Sequence, residues 1–365
     1  MRIGFVTNKL TLRGAEVCLY DYADYNEKIL GNSSIIICRS YEFVSYSDPQ
    51  DVHEAAYDKF SKRFSPSLYY YENPTEIPEL VKLHKIDVLF IEKAGAPWDG
   101  LDFDCCPTII HAIFTTQYPH GSLYCPISPF LNKYFNTSYP VLPYMVQIHP
   151  TQKNLREELK ISSSARVFAS YGGKHEFDTY YVKRAICEFV KTSYAEQKDC
   201  HFIFMNHSAF GQRHPRLHFL EGSADMERKR KFINTADAMI YGRKEGETFG
   251  LAIAEFALAG KPILVSQHAN ARFHLDILGE HAIRHSNGED LLRILAEWPN
   301  ALDKNPISRD PSTLYKIYTP EYVMRNFNEI LRSLLTSSDG SAPQSTSSPS
   351  SCTSGSACTR TSCPH

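Results

Sequence analysis

The sequence predicts an α/β protein built as two doubly wound parallel sheets facing a cleft. Three observations carry this. Short, nearly all-apolar segments alternate with stretches of helical length, as a parallel sheet covered on both faces requires. The alternation breaks at residues 138–150, which hold three prolines, and then starts again. A chain of 365 residues, 42% hydrophobic and 22% charged, is long enough for two domains with cores of their own.

In the first half the pattern predicts strands at 3–7, 34–38, 87–91 and 108–113, with helices at 15–30, 51–60 and 76–84. In the second half it predicts strands at 167–170, 201–205, 238–241 and 262–265. Helices are expected there at 179–193, 226–236, 250–259 and 290–298, and a last one at 320–335. The domains therefore fall at 1–150 and 151–335. Residues 336–365 are more than half Ser or Thr. They offer too little apolar surface to offset their ordering entropy and read as a disordered tail.

Composition narrows the function. Lys+Arg is 39 against Asp+Glu 41, a net charge of −2, which argues against a nucleic-acid partner. No apolar run is long enough to span a bilayer, and the first residues read as a strand rather than a secretory leader. The ten Cys include no C-x-x-C pair, so neither a zinc ribbon nor a redox motif is read. The seven Cys before residue 336 read as packing thiols of a reducing compartment, and the cytoplasm is the expected location. Aromatics make up 12% of the chain and can fill a core or line a groove for flat ligands.

In doubly wound sheets ligands sit beyond the carboxyl ends of the strands, so the loops after strands carry the information. After the first strand, Gly14 falls where a helix should begin, without the G-x-G-x-x-G spacing. After the strand that opens the second half stands Gly172-Gly173-Lys174, suited to a diphosphate or simply to a turn. The strongest signal is the segment from Gly242 and Arg243 through Glu247, Thr248, Phe249 and Gly250 to Glu255. Glu247 lies in the loop, and Glu255, eight positions on, lies in a helix of otherwise apolar residues and needs a partner. The amides of Thr248, Phe249 and Gly250 are expected to face an anion. The bland alternative makes Glu247 a charge favoured by the helix dipole and Glu255 a solvated position. The basic run Arg228-Lys229-Arg230-Lys231 reads as a solvated helix face, and His120 as a loop residue near the cleft.

Glu247-x7-Glu255, with Phe249-Gly250 between and Ala259-Gly260-Lys261-Pro262 after, resembles the signature of retaining GT-B glycosyltransferases of family 4. Arg13-Gly14-Ala15-Glu16 resembles that family's N-terminal glycine loop, and His111-Ala112-Ile113-Phe114 its His-bearing loop. Phe232-Ile233-Asn234-Thr235-Ala236-Asp237-Ala238 resembles its helix-to-strand segment. The likeness covers roughly residues 1–335 and is nearest in character to relatives from large DNA viruses and microbes.

The resemblance implies two Rossmann-like domains and a nucleotide-sugar held mostly by the second. It implies transfer of the sugar to a hydroxyl of a glycan or other glycoconjugate with retention, without metal or cofactor. It places Glu247 on the donor sugar, Glu255 on the ribose and His111 near the reacting centre. Lys174, Arg243, Gly14, Gly172, Gly173 and the amides of Thr248, Phe249 and Gly250 would surround the diphosphate. One position departs from the pattern: Ser170 stands where the family places an Arg, and Arg243 is the candidate replacement. The alternatives are a weak or inactive scaffold that binds a nucleotide-sugar or glycan, and a nucleotide-sugar epimerase.

Overall fold

The structure is a computed structural model that describes residues 1–49 and 52–338. The first half comprises β1 (Arg2–Val6), α1 (Gly14–Lys28), β2 (Ser33–Arg39), α2 (Tyr41–Ser47), α3 (Glu54–Phe64) and β3 (Leu68–Tyr71). It continues with α4 (Ile77–His84), β4 (Val88–Lys93), β5 (Thr108–Ala112), β6 (Leu123–Pro126) and α5 (Pro129–Phe135). The strands form one six-stranded parallel sheet in the order β3-β2-β1-β4-β5-β6.

The second half comprises β7 (Arg166–Tyr171), α6 (Tyr180–Phe189), α7 (Ser193–Gln197), β8 (Cys200–Met205), β9 (Leu217–Leu220), α8 (Met226–Thr235) and β10 (Ala238–Tyr241). It continues with β11 (Gly246–Glu247), α9 (Leu251–Leu258), β12 (Ile263–Ser266), β13 (Ala271–Arg272), α10 (Phe273–Leu278), β14 (Ala282–His285), α11 (Gly288–Glu297) and α12 (Pro320–Ser338). Its six-stranded parallel sheet runs β14-β12-β10-β7-β8-β9, and β11 pairs with β13 in a small ribbon. Counted within each half, both sheets have the strand order of a dinucleotide-binding fold.

Central strands are apolar because helices cover both their faces. Every residue of β4 and of β8 is buried. The covering helices carry the matching stripe. In α6, Val182, Ala185, Ile186 and Phe189 are the buried residues, at one-face helical spacing. In α11 the same spacing places Leu291, Ile294 and Leu295 inward, and Asn287 caps the helix by accepting the Asp290 amide.

The strands that the pattern does not predict share a position. Of the twelve strands in the two large sheets, the four that the pattern does not predict are β3, β6, β9 and β14, which form the sheet edges. Three of these edges, β3, β9 and β14, are partly exposed, so the apolar run is short and interrupted, as in Tyr69-Tyr70-Tyr71 of β3 or Ile283-Arg284-His285 of β14. The helix expected at 179–193 is broken between α6 and α7, where Thr192 caps the second piece. Of the tail expected at 336–365, residues 336–338 belong to α12, and the remainder lies outside the described residues.

The halves are joined by more than the connector. α12 returns to the first half, where Val323, Met324, Phe327 and Leu331 are buried in the core cluster that contains α1. Phe327 meets Tyr22 and Phe90 edge-on at 5.3 and 5.6 Å. Phe249, from the loop before α9, packs against Tyr144 of the connector at 5.2 Å. Among the described residues, no helix is long and apolar enough to cross a membrane.

Candidate active site

The strand order locates the site. The order reverses between β1 and β4 in one sheet and between β7 and β10 in the other, and at such a reversal the loops diverge and leave a crevice. A cavity of 260 Å³ lies there, walled by the loops that follow β1, β7 and β10. The N-termini of α1 and α9 both reach it, through Gly14 and Gly250, so two sets of free amides and two helix dipoles favour an anion. Of the predicted site residues, Gly14, Gly172, Gly173, Arg243, Glu247, Thr248, Phe249, Gly250 and Glu255 line it.

Glu247 owes its position to two glycines. Gly246 has φ +81°, and a Cβ there would run into the carbonyl oxygen of Ala271; Gly250 has φ +87°. Between them the chain turns from β11 into α9. Glu247 Oε1 accepts from Tyr241 Oη at 2.7 Å and from Arg243 Nη1 at 3.3 Å. Burial raises its carboxyl above the usual range, against the opposing pull of Arg243.

Glu255 has the partner that an acid in an apolar helix requires. Lys229 Nζ donates to its Oε1 at 2.5 Å. This corrects the reading of the basic run as a solvated face. Lys229 turns inward and is buried, while Arg228 pairs with Glu158 at 2.8 Å on the outside. Burial pushes the Glu255 carboxyl up and brings the Lys229 amine down to about 8. Glu255 Oε2 is buried without a hydrogen-bond partner, on a residue that lines the cavity.

The loop after β7 brings in a residue that the motif reading missed. Glu176 Oε2 accepts the Gly173 amide at 3.1 Å, and its Oε1 lies 3.2 Å from Arg243 Nη2 and 3.5 Å from Arg13 Nη2. Two guanidinium groups from other loops thus converge on Glu176. Ser170 itself is buried against His207: the His207 Nδ1–H donates to the Gly173 carbonyl at 3.1 Å, so Nε2 accepts from Ser170 Oγ at 3.2 Å. Burial lowers His207 to about 4, and it remains neutral.

Three predicted residues do not reach the cavity wall. Lys174 is exposed and is not among the lining residues, and its backbone carbonyl accepts from the Ser208 amide. His111 is fully buried on β5, its Nε2 2.7 Å from the Leu142 carbonyl and its ring against Phe90 and Tyr22. Tyr144, from the connector, lines the cavity in its place and donates to Glu92 Oε1 at 3.3 Å. His120 is tied to the Tyr118 carbonyl and lies tilted against Tyr124 at 5.5 Å, off the wall. Behind Tyr144 the Cys18, Glu92 and His111 donor atoms lie within 4.8 Å of one another, the group among the described residues able to hold a metal. The seven described cysteines are free thiols, four of them buried.

Glu176 carried a signal in retrospect: an acid three positions after a glycine pair closes a turn on the first free amide. Tyr144 carried none, since the connector has no periodicity. Glu16 also lines the cavity, accepting from Thr11 Oγ1, with its carboxyl raised to about 7 by burial.

No family model matches the chain, and no curated protein matches it. Solved structures do match in fold. Anabaena Alr3699/HepE in complex with UDP-glucose superposes with a TM-score of 0.67 at 15% identity, over 92% of this chain and 100% of that one. A glycosyltransferase from Rickettsia africae gives 0.65 at 13% identity, over 92% and 98%. A putative UDP-N-acetylglucosamine 2-epimerase from Listeria monocytogenes gives 0.56 at 11%, over 92% and 97%. The architecture is therefore GT-B: two Rossmann-like domains closing on one cavity.

Proposed function

We propose that the chain is a glycosyltransferase that moves a sugar from a nucleotide-sugar to an acceptor hydroxyl of a glycan or glycoconjugate, with retention. One observation carries the reading. Glu247 and Glu255 line one cavity from either side of the Gly250 turn, and Arg13, Arg243 and two helix N-termini line the same cavity. Hydroxyl acceptors at two ends with an anion site between match the outline of a sugar nucleoside diphosphate. In this reading Glu247 accepts from donor-sugar hydroxyls. Glu255 Oε2, free while Lys229 neutralises Oε1, accepts from the ribose. Arg243 and the amides of Gly172, Gly173, Thr248, Phe249 and Gly250 stabilise the charge that grows on the departing diphosphate. The leaving phosphate oxygen takes the acceptor proton on the same face, so no protein nucleophile is needed, unlike in retaining glycosidases.

The test is thermal denaturation with UDP, GDP, ADP and their sugars, followed by transfer assays in which proton NMR reads the anomeric centre. A ligand at about 100 times its Kd adds roughly 2.7 kcal/mol of stability. Turnover with an unchanged anomeric configuration, insensitive to EDTA, is the expected result; no shift with any nucleotide overturns the reading.

A second reading, nucleotide-sugar epimerisation, is favoured by Glu16. A cavity-wall carboxyl held near 7 is suited to remove and return a proton at a sugar carbon. Deuterium entering the donor sugar in D2O without acceptor would establish it.

A further inference from the structure

The anion site just described already contains an anion. We propose that Glu176 is an internal counter-ion seated where the donor diphosphate binds, and that it sets the site's preference for a diphosphate over a monophosphate. The inference rests on reading the cavity as a nucleotide-sugar site.

Three donors converge on the Glu176 carboxylate, and they come from three separate places. Arg13 stands at the cap of α1 in the first half, Arg243 follows β10, and the Gly173 amide follows β7. Their distances, 3.5, 3.2 and 3.1 Å, distribute two guanidinium groups on one carboxylate oxygen and a backbone N–H on the other. This set of donors is the kind that holds a phosphate oxygen. The side chain is anchored at its base, since the Glu176 amide donates to the Gly173 carbonyl at 3.0 Å, but the side chain is 22% exposed and lines the cavity. A Cβ on Gly173 would lie 2.7 Å from that carboxyl, so the glycine makes room for it.

Two anions cannot share these donors without repulsion. A ligand must therefore displace Glu176 from Arg13 and Arg243, and a monophosphate supplies fewer oxygens with which to do so. The arrangement also joins the two halves across the cleft, through Arg13 of the first and Glu176 of the second.

Glu176→Gln separates the charge from the turn, because the amide oxygen still accepts the Gly173 N–H. Calorimetric titration of both proteins with UDP, GDP, ADP and the matching monophosphates tests the proposal. The nucleoside diphosphate that binds the native protein should bind the variant about tenfold more tightly, and its monophosphate should gain threefold or more beyond that, narrowing the preference. Should the Gln variant fold poorly, Glu176→Ser is expected to show the same direction. Equal or weaker diphosphate binding by both variants, with binding to the native protein intact, overturns the role of Glu176 and leaves the proposed function standing. If no nucleotide binds the native protein or the variants, the proposed function fails and the inference fails with it.

Discussion

The two halves share a strand order and differ in what they present to the cavity. In the first half the chemistry-bearing groups of the central strands face inward: Glu92 and His111 are register partners on β4 and β5, and both are buried. In the second half Glu176 and Arg243 stand on loops after strands, Glu247 ends the two-residue β11, and Glu255 stands in the second turn of α9, all on the wall. Within a strand the side-chain direction is fixed by alternation. In a loop it is set by backbone turns, and for Glu247 by the glycines at positive φ on either side of it. Topology thus locates the cavity, and loop conformation decides which residues reach it.

The contrast is broken most severely by unpairing the second half's buried charges. Lys229→Met removes the partner of Glu255 and leaves a carboxylate or a proton in an apolar helix face. The expected cost is about 3–5 kcal/mol of stability, read from denaturant midpoints at unchanged slope. A loss below about 1 kcal/mol would mean that Glu255 is solvated. Next comes Glu247→Ala. With the fold intact by circular dichroism, turnover should fall about 10²–10³-fold, the range for losing one polar contact made at the reacting end. Native turnover would remove Glu247 from the donor sugar.

How much of this was legible in the sequence follows the same division. Central strands were readable because double-faced burial leaves apolar runs such as Val88-Leu89-Phe90-Ile91. The edge strands β3, β9 and β14 were not, because their partly exposed positions carry Tyr, His and Arg. Glu247 and Glu255 could be read because local spacing places both beside one helix start. Lys229 and Glu176 could not be assigned, since what pairs them is tertiary: Lys229 lies 26 residues from Glu255, and Glu176 is 67 from Arg243 by number. His111 was legible as a residue and misplaced as a group, because the sequence does not say which side of β5 faces Tyr144.

That last point makes a sharper test. If His111 is structural, His111→Leu should cost about 1–3 kcal/mol through the stranded Leu142 carbonyl. It should leave kcat within about threefold for the folded fraction, since a buried group that does not touch the reactants adds little to transition-state binding. A hundredfold loss of kcat at native stability would return His111 to the cavity and erase the contrast between the halves.

The last test concerns Glu16, the first half's acid on the cavity wall. Its folded-state carboxyl is raised to about 7 from 4.5, with burial the main cause. Between those values the folded protein holds a proton that the unfolded chain has released, so this group's contribution to stability declines as pH rises through that window and is flat above it. Asp21, Glu92 and Glu255 are raised as well and slope the same way, so the native curve alone does not isolate Glu16. Glu16→Gln does. Its stability should gain on the native protein's steadily as pH increases from 4.5 to 7, because the amide keeps an acceptor for Thr11 Oγ1 without the ionisation. Parallel curves would show that Glu16 is already ionised at neutral pH, and the epimerase reading would then lose its proton carrier.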